Sequence, residues 1–182
     1  MSLLPSPSEL VARARSDLRV GLPVVIGAGD TGLVALSAET LSAARLDALR
    51  ALPGTPQVAI TLRRAETLKA RAYDGDLARV ILPGDVDAAW VRALADPALD
   101  LAAPLKGPLL TAREGDGDAG LHRLALLLAK SSQLLPAVVT VTTNRPEALA
   151  RDLGATQLIP ETAAIDLAHH HPLLPVASAR LP

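Results

Sequence analysis

The sequence lacks cysteine and has almost no aromatic residues. Among its 182 residues there is no Cys and no Phe, and Trp and Tyr occur once each. The absence of Cys excludes disulfides, a thiol nucleophile and a zinc site built on thiolates. So few aromatic side chains cannot form a platform on which bases or sugars stack. The core must therefore be filled by aliphatic side chains.

The sequence also lacks an excess of charge of either sign and any long apolar run. The 18 Lys and Arg residues nearly balance the 19 Asp and Glu residues, so we expect no nucleic-acid partner. No apolar run reaches the roughly 18 residues that span a bilayer, and the first ten residues do not resemble a signal peptide. We therefore expect a cytoplasmic protein with no membrane partner.

What the sequence does contain is an alternation of helix and strand patterns. Ser6 and Glu9 form a capping box with Pro7 at the first helical position, which predicts a helix ending near Gly21. The other predicted helices lie at 42–51, 63–71, 86–95, 120–132, 144–153 and 161–170, and strands at 57–62, 78–82, 109–111, 136–141 and 157–159. The pattern predicts an α+β fold, in which helices pack on a mixed sheet.

We expect one domain over residues 1–171. Residues 172–182 have no obvious terminating pattern, which predicts a linker or the truncated start of a following domain.

The stretch 23–36 predicts a β-hairpin. Two short apolar runs, 23–26 and 33–36, flank the Gly- and Asp-rich residues 27–31. Two such runs around a turn of this composition are typical of antiparallel strands.

The same stretch contains a Gly-x-Gly-x-x-Gly motif at Gly27, Gly29 and Gly32. This motif binds a dinucleotide only when the third glycine opens a helix, whose free N–H groups then hold the pyrophosphate. Here a strand pattern follows Gly32, and the next helix pattern starts only near Ser42. We therefore reject a dinucleotide site and predict no cofactor.

Two clusters suggest metal ligands but have the wrong spacing. Glu114, Asp116 and Asp118 resemble a calcium loop, yet neither the required glycine nor the closing glutamate stands at its position. The three adjacent residues 169–171 are all histidine, and neighbouring side chains on a helix point in different directions. The acidic cluster is better explained as a turn before a helix, and the histidines as an exposed helix end. No metal site is predicted.

A group of basic residues is explained more simply as a structural feature than as a binding site. Arg63, Arg64, Lys69 and Arg71 suggest a phosphate site, but a solvated helical face is the simpler interpretation.

The simpler interpretation of His122 is a structural or solvated histidine and not a catalytic one. A Ser-His-Asp arrangement with Ser131 or Ser132 stays open, although the chain has no nucleophile-elbow motif.

Three segments, in order, resemble one enzyme family. They are the runs GLPVVI and LVALSAE between Arg13 and Glu39, then GLHRLALLLAKSSQLLPAVVTV, and finally PEALARDLGATQLIPETAAIDLAHH. Together they resemble 3,4-dihydroxy-2-butanone 4-phosphate synthase, the riboflavin-pathway enzyme that converts ribulose 5-phosphate to a four-carbon phosphate and formate. The resemblance implies the synthase-like form of the α+β fold.

The chain departs from this family where the family's chemistry takes place. The family's hairpin carries a long acidic loop that binds magnesium, whereas residues 27–31 here include one carboxylate, Asp30, too few for that ion. The family's long helix opens Gly-His-Thr-Glu, whereas here it opens Gly-Leu-His-Arg. We therefore expect no catalytic residues, and only a degenerate pocket around Asp30, Glu39, His122 and Arg123.

The tail VASARLP resembles the junction that opens a GTP cyclohydrolase II domain. This second resemblance implies a non-catalytic accessory domain that forms a homodimer and is joined in cis to GTP cyclohydrolase II. The alternative is a small-molecule enzyme or binding domain for a sugar phosphate or nucleotide, with Asp30, Glu39 and His122 around a repurposed pocket.

Overall fold

The structure, a computed structural model, describes residues 3–103, 107–113 and 119–169. Within them six strands form one mixed sheet in the order β4-β3-β5-β2-β1-β6. The strands are β1 Val24–Ala28, β2 Thr31–Ser37, β3 Gln57–Thr61, β4 Leu77–Ile81, β5 Ala137–Thr143 and β6 Thr156–Leu158. Only β1 and β6 pair in parallel, and the other neighbours are antiparallel. The predicted mixed sheet with packed helices is confirmed.

Helices cover both faces of this sheet. They are α1 Pro7–Arg19, α2 Ala43–Arg50, α3 Leu62–Thr67, α4 Ala88–Ala95, α5 Gly120–Ser131, α6 Pro146–Leu153 and α7 Pro160–His169, with a 3-10 turn at Pro97–Leu99. The capping box at the start of α1 is present, because Ser6 Oγ accepts from the Glu9 N–H at 3.3 Å and the Ser6 N–H donates to Glu9 Oε2 at 2.7 Å. None of the helices in the described ranges is long and apolar enough to cross a bilayer.

The core is aliphatic and lies in two layers, one on each face of the sheet. Successive side chains of a strand point to opposite faces, so neighbours such as Val24 and Val25 enter different layers. Helices α2, α4 and α6 pack on the layer that contains Val25, whereas α1, α5 and α7 pack on the layer that contains Val24. Strands β2 and β5 are buried on both sides because helices cover both faces.

Two predicted elements differ from the observed ones. Helix α3 ends at Thr67 rather than at residue 71, because Lys69 adopts a left-handed φ of 55° and the Ala70 N–H returns to the Ala65 carbonyl at 2.9 Å. The strand predicted at 109–111 is reduced to a single bridge between Thr111 and Val80. A chain segment with so little pairing follows the edge of the sheet without forming a full strand.

Candidate functional site

The β1–β2 connection is as short as a hairpin allows. Ala28 pairs with Thr31, so only Gly29 and Asp30 form the turn. Gly29 has a φ of 64°, the left-handed conformation that favours glycine. Asp30 is exposed, and its carboxylate accepts from the neighbouring Thr31 hydroxyl at 3.2 Å. The predicted hairpin is confirmed, and the loop it carries holds a single carboxylate.

Helix α6 fixes the turn in place. Glu147, in its first helical turn, accepts a hydrogen bond from the Gly29 N–H at 2.9 Å. This bond stabilises the charged carboxylate and lowers the pKa of Glu147 below its ordinary value. The turn therefore rests against a helix and is not an open loop.

Close packing explains the glycine motif. A Cβ atom on Gly27 would lie 2.4 Å from the Gly32 Cα, and one on Gly32 would lie 2.7 Å from the Pro146 Cβ. Both distances are too short for a side chain, so the glycines let the two strands and α6 approach each other. Strand β2 contains Gly32, and the next helix begins at Ala43, which rules out the dinucleotide geometry.

A cleft of ≈ 540 Å³ lies beside the turn. Asp30 and His122 both line it, so the structure brings together two of the four predicted pocket residues. Its lining comes from the hairpin, the loop after α2, the start of α5 and the end of β5, at residues 30–33, 53–54, 121–122 and 142–145.

His122 is buried in the wall of this cleft, with 2% of its surface exposed, so the alternative of a solvated histidine is wrong. The open Ser-His-Asp alternative fails because Ser131 and Ser132 are nine and ten residues further along the sequence, about 14 Å away along the helix axis. Both serine hydroxyls donate to the Leu128 carbonyl. Neither of these two serines forms a triad with His122.

The other two predicted pocket residues lie elsewhere. Arg123 Nε donates to the two Asp76 carboxylate oxygens at 2.9 and 3.0 Å. Arg123 lines an adjoining cleft of ≈ 600 Å³ between the hairpin, α5 and α7, which shares Thr31 and Leu121 with the first cleft. Glu39 follows β2 at the end opposite the turn, about 20 Å along the strand, and accepts from the Leu135 N–H at 2.7 Å. Neither residue lines the cleft that contains Asp30 and His122.

The prediction that the basic residues form a solvated helical face is wrong for Arg64. Its side chain is buried, donates to the Leu94 carbonyl at 2.7 Å and forms two bonds of 2.7 Å with Asp100. Arg63, Lys69 and Arg71 are exposed as predicted. Helical spacing alone did not show which of the adjacent arginines faces α4.

The described residues contain no group of three or more His, Asp or Glu residues that could hold a metal ion. The acidic cluster at Glu114, Asp116 and Asp118 and the histidines at 170 and 171 lie outside the described ranges, and His169 ends α7.

Sequence reasoning missed the run of four polar residues that lines the cleft at 142–145, which are Thr142, Thr143, Asn144 and Arg145. The signal was available, since they end β5 and precede α6, but the pairing of β5 with β2 was needed to place them beside the turn.

Comparison with known proteins gives the fold. No protein-family model matches the chain, and a search of curated protein sequences finds no match. Among solved structures, a cation-free 3,4-dihydroxy-2-butanone 4-phosphate synthase matches with a TM-score of 0.66 and 15% identity, over 89% of this chain and 98% of that chain. The chain has the 3,4-dihydroxy-2-butanone 4-phosphate synthase fold.

Two further structures have the same synthase fold. A synthase in complex with two magnesium ions matches with a TM-score of 0.62 and 14% identity, over 90% of this chain and 99% of that chain. A two-domain synthase from A. baumannii matches with a TM-score of 0.62 and 14% identity, over 84% of this chain and 56% of that chain. The synthase fold therefore occurs both alone and beside a second domain.

Proposed function

We propose that this chain is a non-catalytic domain with the synthase fold, which forms a homodimer and supports a GTP cyclohydrolase II joined to it in cis. The observation that carries the non-catalytic part is the two-residue turn between Ala28 and Thr31. The resemblance to the synthases implies a long acidic, magnesium-binding loop at this place, and the hairpin here closes without room for one.

The charges around the turn support this proposal. Among the described residues that line the cleft, Asp30 carries the only carboxylate, and Arg145 adds a positive charge. Magnesium needs near-octahedral oxygen ligands, usually one or two carboxylates together with substrate oxygens and water. Arg123, where the resemblance implies an acid, is bound to Asp76 and so holds α5 to the loop before β4.

The link to GTP cyclohydrolase II rests on the resemblance of the tail, and the two-domain synthase supports only the presence of a second domain beside this fold. It is tested by reading the gene onward from the codon for Pro182. A continuing frame with a cysteine cluster for zinc supports the fusion. A stop codon, or a frame without such a cluster, overturns it.

The dimer is tested separately by sedimentation of the purified chain. We expect a mass of twice 18.8 kDa at micromolar concentration. A stable monomer at that concentration would remove dimerisation from the proposal while leaving the non-catalytic part untouched.

A second candidate, a small-molecule binding domain, is favoured by the cleft itself. Its volume of ≈ 540 Å³ suits a small ligand, and Thr142, Asn144 and Arg145 bring polar groups to one wall. A ligand of the native state must raise the melting temperature. The ligands to test are ribulose 5-phosphate and GTP. If either binds in this cleft, the rise in melting temperature should disappear in Arg145→Gln.

A further inference from the structure

A different cleft, of ≈ 520 Å³, lies at the β4 edge of the sheet. The loop after α3 forms one wall and the segment 107–113 forms the other. That segment is held to β4 by backbone bonds, from the Ile81 N–H to the Leu110 carbonyl and from the Ala112 N–H to the Arg79 carbonyl, both 2.8 Å. This edge cleft shares no lining residue with the cleft at the hairpin.

Positive charge gathers in the edge cleft. Lys69, Arg71 and Arg113 line it, and no Asp or Glu is among its described lining residues. Lys69 and Arg71 are exposed, and within the described part of the chain neither forms an ion pair. Lys69 and Arg71 therefore repel each other without a carboxylate partner among the described residues, and an anion between them relieves that repulsion.

The nearest acids on the same loop are already engaged. Asp74 accepts two hydrogen bonds from the buried Arg79 side chain, at 2.8 and 2.9 Å. Asp76 accepts from Arg123 Nε. These two carboxylates therefore neutralise other cations and leave Lys69 and Arg71 uncompensated.

Tyr73 orders one of the three cations. The Arg113 guanidinium lies 5.5 Å from the centre of the Tyr73 ring, a cation–π distance. Stacking on the ring restrains the planar guanidinium in the wall of the edge cleft.

Lys69 occupies a backbone position that favours glycine. It is the left-handed residue that follows α3, with a φ of 55°, and the Ala70 N–H to Ala65 carbonyl bond closes the turn. A lysine here lowers stability relative to glycine, since its Cβ is strained in this conformation. What the lysine adds in return is an ammonium group at the edge cleft.

We propose that the edge cleft binds the phosphate group of a small phosphorylated molecule. Two guanidinium groups and an ammonium group are the side chains that recognise phosphate best. A concave site of this volume fits a small molecule, whereas nucleic acids need an extended basic surface that a net charge of −1 does not provide. The site is independent of the function proposed above.

Isothermal titration with inorganic pyrophosphate, at constant ionic strength, tests the proposal. The wild-type chain binds one pyrophosphate. Arg71→Gln and Arg113→Gln each weaken binding roughly tenfold or more, as expected for the loss of a charged hydrogen bond. Arg63→Gln, at an exposed arginine of α3 that does not line the edge cleft, leaves the affinity unchanged.

Lys69→Gly separates binding from stability. It removes the ammonium group but relaxes the backbone, so affinity falls roughly tenfold while the melting temperature stays the same or rises. Gln133→Gly is the matched control, because Gln133 has a φ of 60° in the same kind of helix-ending turn and lies outside the edge cleft. The Gln133→Gly substitution relaxes the backbone and should leave the affinity for pyrophosphate unchanged.

Three results overturn the proposal. They are no binding of pyrophosphate at millimolar concentration, an unchanged affinity in Lys69→Gly, and a loss of binding in Arg145→Gln. The last result would assign the anion to the hairpin cleft instead.

Discussion

At the residue scale, the hairpin depends on two glycines that face each other across its strands. Gly27 pairs with Gly32, and each leaves no space for a Cβ atom. The atoms that a side chain would meet at Gly27 are backbone atoms, and at Gly32 they belong to the proline ring that opens α6. Neither neighbour can turn aside as a flexible side chain would.

Gly32→Ala should therefore destabilise the fold by about 2 kcal/mol or more, the cost of overpacking a rigid site. Gly84→Ala is the control, because nothing lies within 4 Å of a Cβ built there, and its effect should be within about 0.5 kcal/mol. Urea denaturation measures both. Equal stabilities of the two variants would contradict the account of the glycine motif as a packing feature.

The adjacent arginines of α3 make a second test at this scale. Arg64 is buried and bound to Asp100 and to carbonyl groups around the end of α4, whereas Arg63 is exposed. Arg64→Met removes the charged donor that these acceptors share and should cost about 2 to 4 kcal/mol.

Arg63→Met should change stability by less than about 0.5 kcal/mol. Chemical denaturation of the two variants side by side measures the difference. Similar losses in both would mean that Arg64 does not hold α4.

At the scale of elements, the contact that fixes the turn is the bond between Glu147 of α6 and the Gly29 N–H. Because this bond lowers the pKa of Glu147 in the folded state, its contribution is fully present above the ordinary value of 4.5. The contribution is lost as the pH falls through the lowered pKa.

Glu147→Gln cannot titrate, so the melting temperatures of the wild type and this variant should converge as the pH is lowered below 4.5. Thermal melts across that range measure the difference. The control is Glu66→Gln, at an exposed residue of α3. If the difference in melting temperature between the wild type and Glu147→Gln grew as the pH fell, the stabilising role of the Glu147 carboxylate would be contradicted.

Most elements could be predicted from local sequence, because their signals are local. The capping box at Ser6 and the two apolar runs around residues 27–31 each specify a short structure without reference to the rest of the chain. The end of α3 could not be predicted, since Lys69 takes a conformation that the sequence pattern assigns to glycine. The partial pairing at Thr111 depends on β4, which is distant in sequence.

At the scale of the whole molecule, the site depends on contacts that no local pattern encodes. Asp30 and His122 line one cleft because α5 and β5 pack against the hairpin. Arg123, next to His122 in sequence, lines another cleft, and Glu39 lies at the far end of β2. The residue types of the candidate site could be recognised from the sequence, but their grouping followed only from the tertiary structure.

The central claim also concerns the whole molecule. We propose that the chain has the synthase fold but does not catalyse the synthase reaction. The measurement that tests it most directly is formate release from ribulose 5-phosphate by the purified chain, with magnesium present, beside an active synthase as a positive control. We predict no formate above a protein-free blank. Magnesium-dependent release at an enzymatic rate, lost in Asp30→Asn, would contradict the account.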